Sequence, residues 1–385
     1  MSGSLRGLRR WSGLVAVAAC VGLVSVACGG APTSAGGGSG GGTGEDAALQ
    51  KVYDSMDEIS DAQERREKLI ELAKAEGGQV VWYTAFNQDD VAELSKEFTA
   101  ATGIKISVYR AGSSTVRQRT EQEAGGGGIR ADLISVTGSD PGILASEGHY
   151  AQLETPVTDQ LIPEAVFPDW FGDQVYVFAP AWNAKAIPPN KAPKDYLDML
   201  ENFTDQMVVE QTDADWLFGM VAYLQAEEGM SEDDALGLVG EVLKKSTPFD
   251  GHTAMTELVA AGQFDISPTN YHYRVMKTID DGGKLAWDPA IDPLISEFGG
   301  TGIAKGVKHP AAALLLAEYL MVDNQQKQWV KSQRTPTLKS AKDDQVGAYA
   351  DPETTLFFID YAKLIPSITE YQQKFAALLG ETGKK

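Results

Sequence analysis

The chain has 385 residues, with 54 acidic against 33 basic side chains, a formal charge of −21 and 43% hydrophobic content. A surface this acidic repels nucleic acid and anionic headgroups, which excludes both as partners of the folded part. Only Cys20 and Cys28 are cysteines, so the rest of the chain excludes disulfides, thiol catalysis and cysteine metal sites.

Arg6, Arg9 and Arg10 precede an apolar run over residues 11–27. A basic region, an apolar stretch and a small residue before a cut predict a secretory signal over residues 1–27. The run is too short and too interrupted by Gly and Ser to read as a membrane span. Val26, Ala27, Cys28 and Gly29 resemble the lipobox of bacterial lipoproteins, with Ser25 where a lipobox usually places Leu. That resemblance implies that Cys28 becomes the first mature residue and carries lipid; an ordinary secreted protein with an incidental Cys28 is the other reading. Residues 28–45 then form a tether rich in Gly, Ser and Thr, which spans about 20–24 Å root-mean-square. Without the three arginines of the leader, 30 basic residues face 54 acidic ones, so lipid rather than surface charge holds the domain to a membrane. The 341 residues from Glu45 on exceed the usual limit of a single core, which predicts two domains.

Helical signals begin near Ser60. Ser60 with Gln63, and Asp61 with Glu64, fit a capping box, and Gly77 and Gly78 end the helix. Residues 79–84 (QVVWYT) predict a buried strand. A helix over 89–102 carries Val91, Leu94, Phe98 and Ala101 at helical spacing, and Gly103 stops it. Residues 104–109 predict a strand, 113–124 a helix, 131–136 a strand and 141–147 a short helix. This alternation predicts α/β layers with a mostly parallel sheet covered on both faces. Residues 176–187 read as a strand-like crossing into a second domain. Helical patterns follow over 213–228, 231–244 and 253–261, then a short strand at 264–267. Residues 294–303 read as a Gly-rich returning connection. A long helix from His309 and further helices over 353–379 complete the chain.

Four stretches carry a resemblance: residues 76–84 (EGGQVVWYT), 98–106 (FTAATGIKI), 258–266 (LVAAGQFDI) and 302–313 (GIAKGVKHPAAA). In this order they resemble the extracellular solute-binding proteins of ABC importers, in the type II periplasmic-binding-protein group that includes ferric-binding proteins. The resemblance implies two lobes, each a mixed, mostly parallel sheet flanked by helices, with crossing strands as a hinge. Residues 46–182 and 296–385 are expected in one lobe and 183–295 in the other. It also implies a solute clamped in the cleft between them, an ABC permease and ATPase as partners, a monomer, no resident cofactor and no chemical turnover.

Ligands of open parallel sheets sit beyond the carboxyl ends of the strands. The loops there are 84–88, 110–114, 137–140, 250–253 and 269–274. They nominate Thr84, Phe86, Asn87, Gly112, Ser113, Ser114, Thr137, Gly138, Gly251, His252, Thr253, Asn270 and Tyr271 as ligand-binding residues. The serines serve equally as helix caps, and Asn87 serves equally as a cap of the following helix. Trp182 with Asn183, and Asp215 with Trp216, offer a ring and a polar group to the pocket, against plain core packing of both rings. His149 and His309 read as surface residues. The run Asn270, Tyr271, His272, Tyr273 falls where the ferric-binding members place adjacent tyrosines. The resemblance implies His272 and Tyr273 as metal ligands, since phenolate suits Fe³⁺; an aromatic wall for an organic solute is the other reading. Phe86 and Asn87 stand where that family has its first-loop His, and no acidic ligand follows the second strand.

The expected function is therefore a lipid-anchored solute receptor on the outer face of a bacterial cell membrane, taking ferric iron or a small anionic solute. No nucleophile elbow, zinc-hydrolase helix motif or phosphate loop is present. An exported hydrolase acting on envelope glycans or esters through carboxylates is the alternative.

Overall fold

The computed structural model describes residues 46–380 apart from 204–205, 289–290 and 352–353. The expected signal, Cys28 and the tether lie outside these residues. The first element is a helix absent from the sequence expectation, α1 (Ala47–Met56), which buries Leu49, Val52, Tyr53 and Met56 along one stripe. In α2 (Ala62–Ala75), Asp61 is the N-cap: its carboxylate accepts from the N–H groups of Gln63 at 3.0 Å and Glu64 at 2.9 Å.

Strand β1 (Gln79–Thr84) occupies the span that its residue pattern predicts. It leads into α3 (Gln88–Thr102), which Gly103 ends at φ 76°, a left-handed turn that glycine adopts without strain. Next come β2 (Lys105–Arg110), α4 (Ser113–Gly125), β3 (Leu133–Thr137) and α5 (Asp140–Ser146). Strand β1 pairs in parallel with β2 and with β3. Strand β2 is an edge strand and largely exposed, which explains its mixed composition.

Two strands lie on the crossing segment, β4 (Phe171–Val177) and β5 (Ala181–Asn183), with Pro180 between them. The second group follows: α6 (Tyr196–Asn202), β6 (Val208–Glu210), α7 (Ala214–Glu227), α8 (Glu232–Leu243), β7 (Thr247–Phe249), α9 (His252–Ala261), β8 (Ile266–Ser267), α10 (His272–Asp280) and β9 (Leu285–Ala286). Among the described residues, β5 pairs antiparallel with β8 and β9, and β6 pairs in parallel with β7. A single bridge from Met207 to Ile266 joins these two small sheets. This group is thus more antiparallel than expected.

The stretch expected as a Gly-rich connection is a ten-residue strand, β10 (Leu294–Ile303), buried along its whole length. Its glycines are required by close approach rather than flexibility. A Cβ on Gly300 would lie 2.5 Å from the Trp170 ring, and one on Gly302 would lie 2.5 Å from Tyr150. Strand β10 runs antiparallel to β3 and β4, with a bulge at Gly299/Gly300. Its side chains enter three cores: Ile303 packs with α2, α3 and β1, Phe298 packs beside Trp170, and Ile295 packs among the helices of the second group.

The helix at His309 is α11 (Pro310–Tyr319), followed by a π-helical continuation over 320–329 and by the short α12 (Ser340–Asp343). Its free N–H groups at Ala311 and Ala312 are taken by the Glu76 carboxylate at 3.0 and 3.2 Å. Asp132, fully buried, accepts from the backbone of Val81, Lys308 and His309 and pairs with His309 Nδ1 at 2.8 Å. His309 is therefore a clasp between β1, β3 and α11, and not the free surface residue expected.

Strand β11 (Leu356–Phe358) pairs with the start of β10 where a helix was expected, and α13 (Tyr361–Gly380) closes the chain. The apolar face of α13, Leu364, Ile368, Tyr371 and Phe375, packs with α7 and α8. The chain end expected with the first lobe is thus built into the core of the second group. Among the described residues, no helix is long and apolar enough to cross a membrane.

Candidate functional site

The carboxyl ends of β1 and β3 and the start of α4 face the loops after β6, β7 and β8 across a cavity of about 830 Å³. That volume is in the range that encloses a small molecule. From the first sheet come Asn87, Ser113, Ser114, Arg117, Gly138 and Asp140, with Tyr176 on β4 and Glu297 on β10. From the second group come Glu210, Asp213, Asp215, His252, Tyr271, Tyr273 and Arg274.

Acids dominate the lining. Asp140, Glu210, Asp213, Asp215, Asp250 and Glu297 face Arg117, Arg274 and His252. Arg117 is already committed: its Nε donates to Asp140 at 2.7 Å, and Glu121 engages its other end. Glu210 accepts from Thr212 N–H at 2.7 Å and from Gly251 N–H at 3.3 Å, so it fixes two loops. His252 Nε2 lies 3.2 Å from Asp213 Oδ2. Glu210, Asp213 and His252 could share a metal ion, their ligand atoms lying within 4.8 Å of one another. Asp215 accepts from Ser139 N–H at 2.7 Å, and Glu297 accepts from the Tyr271 hydroxyl at 3.3 Å.

Burial sets the protonation of this cluster. Desolvation, reinforced by the charges of Asp215 and Asp213, holds the Glu297 carboxyl well above the ordinary range. Desolvation and the charge of Asp140 push Asp215 up to about 7, against the Ser139 N–H bond that lowers it. Asp213 is also raised by burial, although His252 opposes the shift. Burial alone would lower the His252 imidazolium, but the charge and hydrogen bond of Asp213 overcome it and the net shift is upward. At neutral pH the cluster therefore keeps protons that exposed carboxylates would have lost.

The aromatic wall is a stack. His252 and Tyr271 rings lie 3.9 Å apart and nearly parallel, and Tyr273 continues the stack 6.0 Å from Tyr271. Tyr176 meets Tyr271 at 4.9 Å. Behind Tyr273, the guanidinium of the buried Arg334 sits 4.5 Å from its ring centre.

Of the residues nominated by sequence, Asn87, Ser113, Ser114, Thr137, Gly138, Gly251, His252, Thr253, Tyr271 and Tyr273 line the cavity. Neither serine is a cap; Gly112 is the N-cap of α4, beside the lining. Ser113 Oγ accepts from Thr137 N–H at 2.9 Å and donates to Asp140, bracing α4 on β3. Asn87 precedes α3 without a side-chain cap bond; with its amide turned so that the oxygen faces the two guanidiniums, it accepts from Arg334 at 2.7 Å and Arg274 at 3.2 Å.

Five nominated residues are elsewhere. Thr84 is fully buried and its Oγ1 accepts from Phe86 N–H. The Phe86 ring packs edge-on between Trp82 and Trp329, each 5.3 Å away. Trp182 lies in the core of the second group. Asn270 is fully buried, accepting from Thr256 Oγ1 and donating to Ser267 O. His272 is buried against Trp287 at 4.9 Å, so the expected metal pair His272 and Tyr273 does not converge. The two are consecutive on α10, hence about 100° apart around its axis.

Arg117, Asp140, Tyr176, Glu210, Asp213, Arg274 and Glu297 are among the lining residues that the sequence reading did not single out. Asp140 and Arg274 stand in the loops it named, while Tyr176 and Glu297 lie within strands, where alternation alone does not reveal a cleft.

Residues 93–355 match the family profile described as bacterial extracellular solute-binding protein. No curated protein matches the chain significantly. Among solved structures, iron-bound HitA from Pseudomonas aeruginosa superposes at TM-score 0.62 with 18% identity, covering 79% of this chain and 99% of that one. The binding protein MotA from A. tumefaciens B6, in complex with glucopine, gives 0.62 and 17%, covering 78% and 99%. The Trichodesmium protein IdiA (FutA), in complex with iron and citrate, gives 0.61 and 19%, covering 80% and 100%. At these identities the likeness is one of fold: two-lobed periplasmic binding proteins of mixed α/β architecture.

Proposed function

The chain belongs to the bacterial extracellular solute-binding protein family, and from that premise we propose that it captures a small solute between two lobes and presents it to the permease and ATPase of an ABC importer. The observation that carries this reading is the cavity of about 830 Å³, walled from opposite sides by the first sheet's strand ends and the second group's loops. A solute touching both walls favours the closed arrangement, because only there are all its contacts made. The lobes divide near 182/183 and 295/296, with α13 returning to the second.

Anchoring is through lipid on Cys28, with residues 29–44 as the leash. The solute is a cation or carries one. The six lining carboxyls, of which Glu297 and part of Asp215 stay protonated, outnumber Arg117, Arg274 and His252, which favours a solute bearing a cationic group over the purely anionic one expected from sequence. Ferric iron stays in view through the iron-bound HitA and IdiA structures. The hydrolase alternative draws only on the abundance of carboxylates, and the family is one of binding proteins.

Small-angle scattering of the full chain, with and without a small-molecule extract of its own envelope, tests the reading. A smaller radius of gyration, with one unaltered solute recovered by mass spectrometry, is the expected result. An unchanged radius, or recovery of a chemically converted solute, overturns it.

A further inference from the structure

We propose that the cleft takes a protonated amine, with the ammonium seated between the carboxylates of Asp215 and Glu297 beside the Gly138 turn. This inference rests on the receptor reading above and names its substrate class.

Glu297 is 3% exposed, yet its carboxylate has a single weak bond, from the Tyr271 hydroxyl to Oε1 at 3.3 Å; Oε2 has no hydrogen-bond partner among the described residues. Glu297 lines the cavity, so the bonding capacity of this oxygen is open to a ligand. Asp215 approaches the same point from the opposite wall. A Cβ on Gly138 would lie 2.7 Å from Asp215 Oδ2 and 3.8 Å from Glu297 Oε2, so both carboxylates border a space kept open by the missing side chain. Residue 138 also has φ 65°, a conformation suited to glycine.

Two of the three nearby cations are spent on carboxylates: Arg117 is held by Asp140 and Glu121, and His252 by Asp213. Arg274 lies over the Tyr273 ring and pairs with no carboxylate among the described residues. An ammonium supplies what is missing: one positive charge and up to three N–H donors for desolvated carboxylate oxygens. The Tyr176 and Tyr271 rings, 4.9 Å apart, give the attached carbon chain an apolar wall. A metal ion at Glu210, Asp213 and His252 is the weaker candidate, because Thr212, Gly251 and the Asp213–His252 pair already use those groups. The raised protonation of Asp215 and Glu297 agrees: a pair sharing one proton carries one negative charge, matched by one ammonium.

Isothermal titration of the full chain with 1,4-diaminobutane, spermidine and 4-aminobutanoate, against glutarate, phosphate and ferric citrate, tests the proposal. At least one amine is expected to bind, with proton release seen as buffer-dependent heat and with affinity falling from pH 8 to pH 6. Glu297→Gln and Asp215→Asn should each weaken that amine on the order of ten- to a hundredfold. Circular dichroism checks that both variants are folded. Amine binding unchanged in both variants, or no amine binding, overturns the proposal. Binding of ferric citrate or an anion alone also overturns it but leaves the receptor reading standing, since that reading falls only if no solute closes the cleft.

Discussion

Asp215 makes the unliganded protein unusually sensitive to rising pH. Its carboxyl is pushed from the ordinary 3.8 up to about 7 in the fold, by burial first and by the charge of Asp140. Because the folded value is the higher one, the folded state holds a proton that the unfolded state has released. The resulting stabilisation is complete below the unfolded value and is lost as pH rises through the folded one. With 1.36 kcal/mol per unit, about 3 kcal/mol disappears between pH 5 and pH 8. Asp215→Asn mimics the protonated group at every pH and should abolish this loss. Urea unfolding of the ligand-free chain and the variant at pH 5 and pH 8 measures it. The variant should exceed the parent by about 2 kcal/mol at pH 5 and by about 4 kcal/mol at pH 8, and match it only below the unfolded value of 3.8. Equal differences at both pH values would refute the reasoning, because they would show that Asp215 ionises in the fold as it does in water.

Gly138→Ala forces a side chain into a left-handed turn and against Asp215 Oδ2. It should cost about 1–3 kcal/mol in urea unfolding and weaken any cleft ligand. Asp132→Ala removes the acceptor shared by Val81, Lys308 and His309, and a loss of about 3–5 kcal/mol is expected by the same assay. Cys28→Ser should move the chain from the membrane fraction to the soluble one and remove label after growth with radioactive palmitate; continued sedimentation with membranes would reject the lipid anchor.

Local signals were legible where local chemistry decides. The Asp61 N-cap, the stop at Gly103 and the strand at 79–84 fold as read, because each depends on a few neighbouring residues. Strand β10 reads as a loop because of its three glycines; only Asp173 against Gly299, Trp170 against Gly300 and Tyr150 against Gly302, all far away in sequence, make them obligatory. The same limit applies to the cleft. The loop around 270–274 was located, but helix geometry turned His272 inward and Tyr273 outward. Phe86 was drawn into the core by Trp82 and Trp329, a contact between segments over 240 residues apart. Glu297 was invisible because its meaning comes from Asp215, on another element of the opposite wall.

Strand β10 also decides how the molecule comes apart. Ile295, Phe298 and Ile303 anchor three separate cores from one uninterrupted backbone, and the return of α13 to the second group stitches the halves again. Neither half can lose its packing while the other stays whole, so heating should give a single cooperative endotherm. A guest held at one carboxylate in the middle of that strand would raise the whole melting curve as a unit.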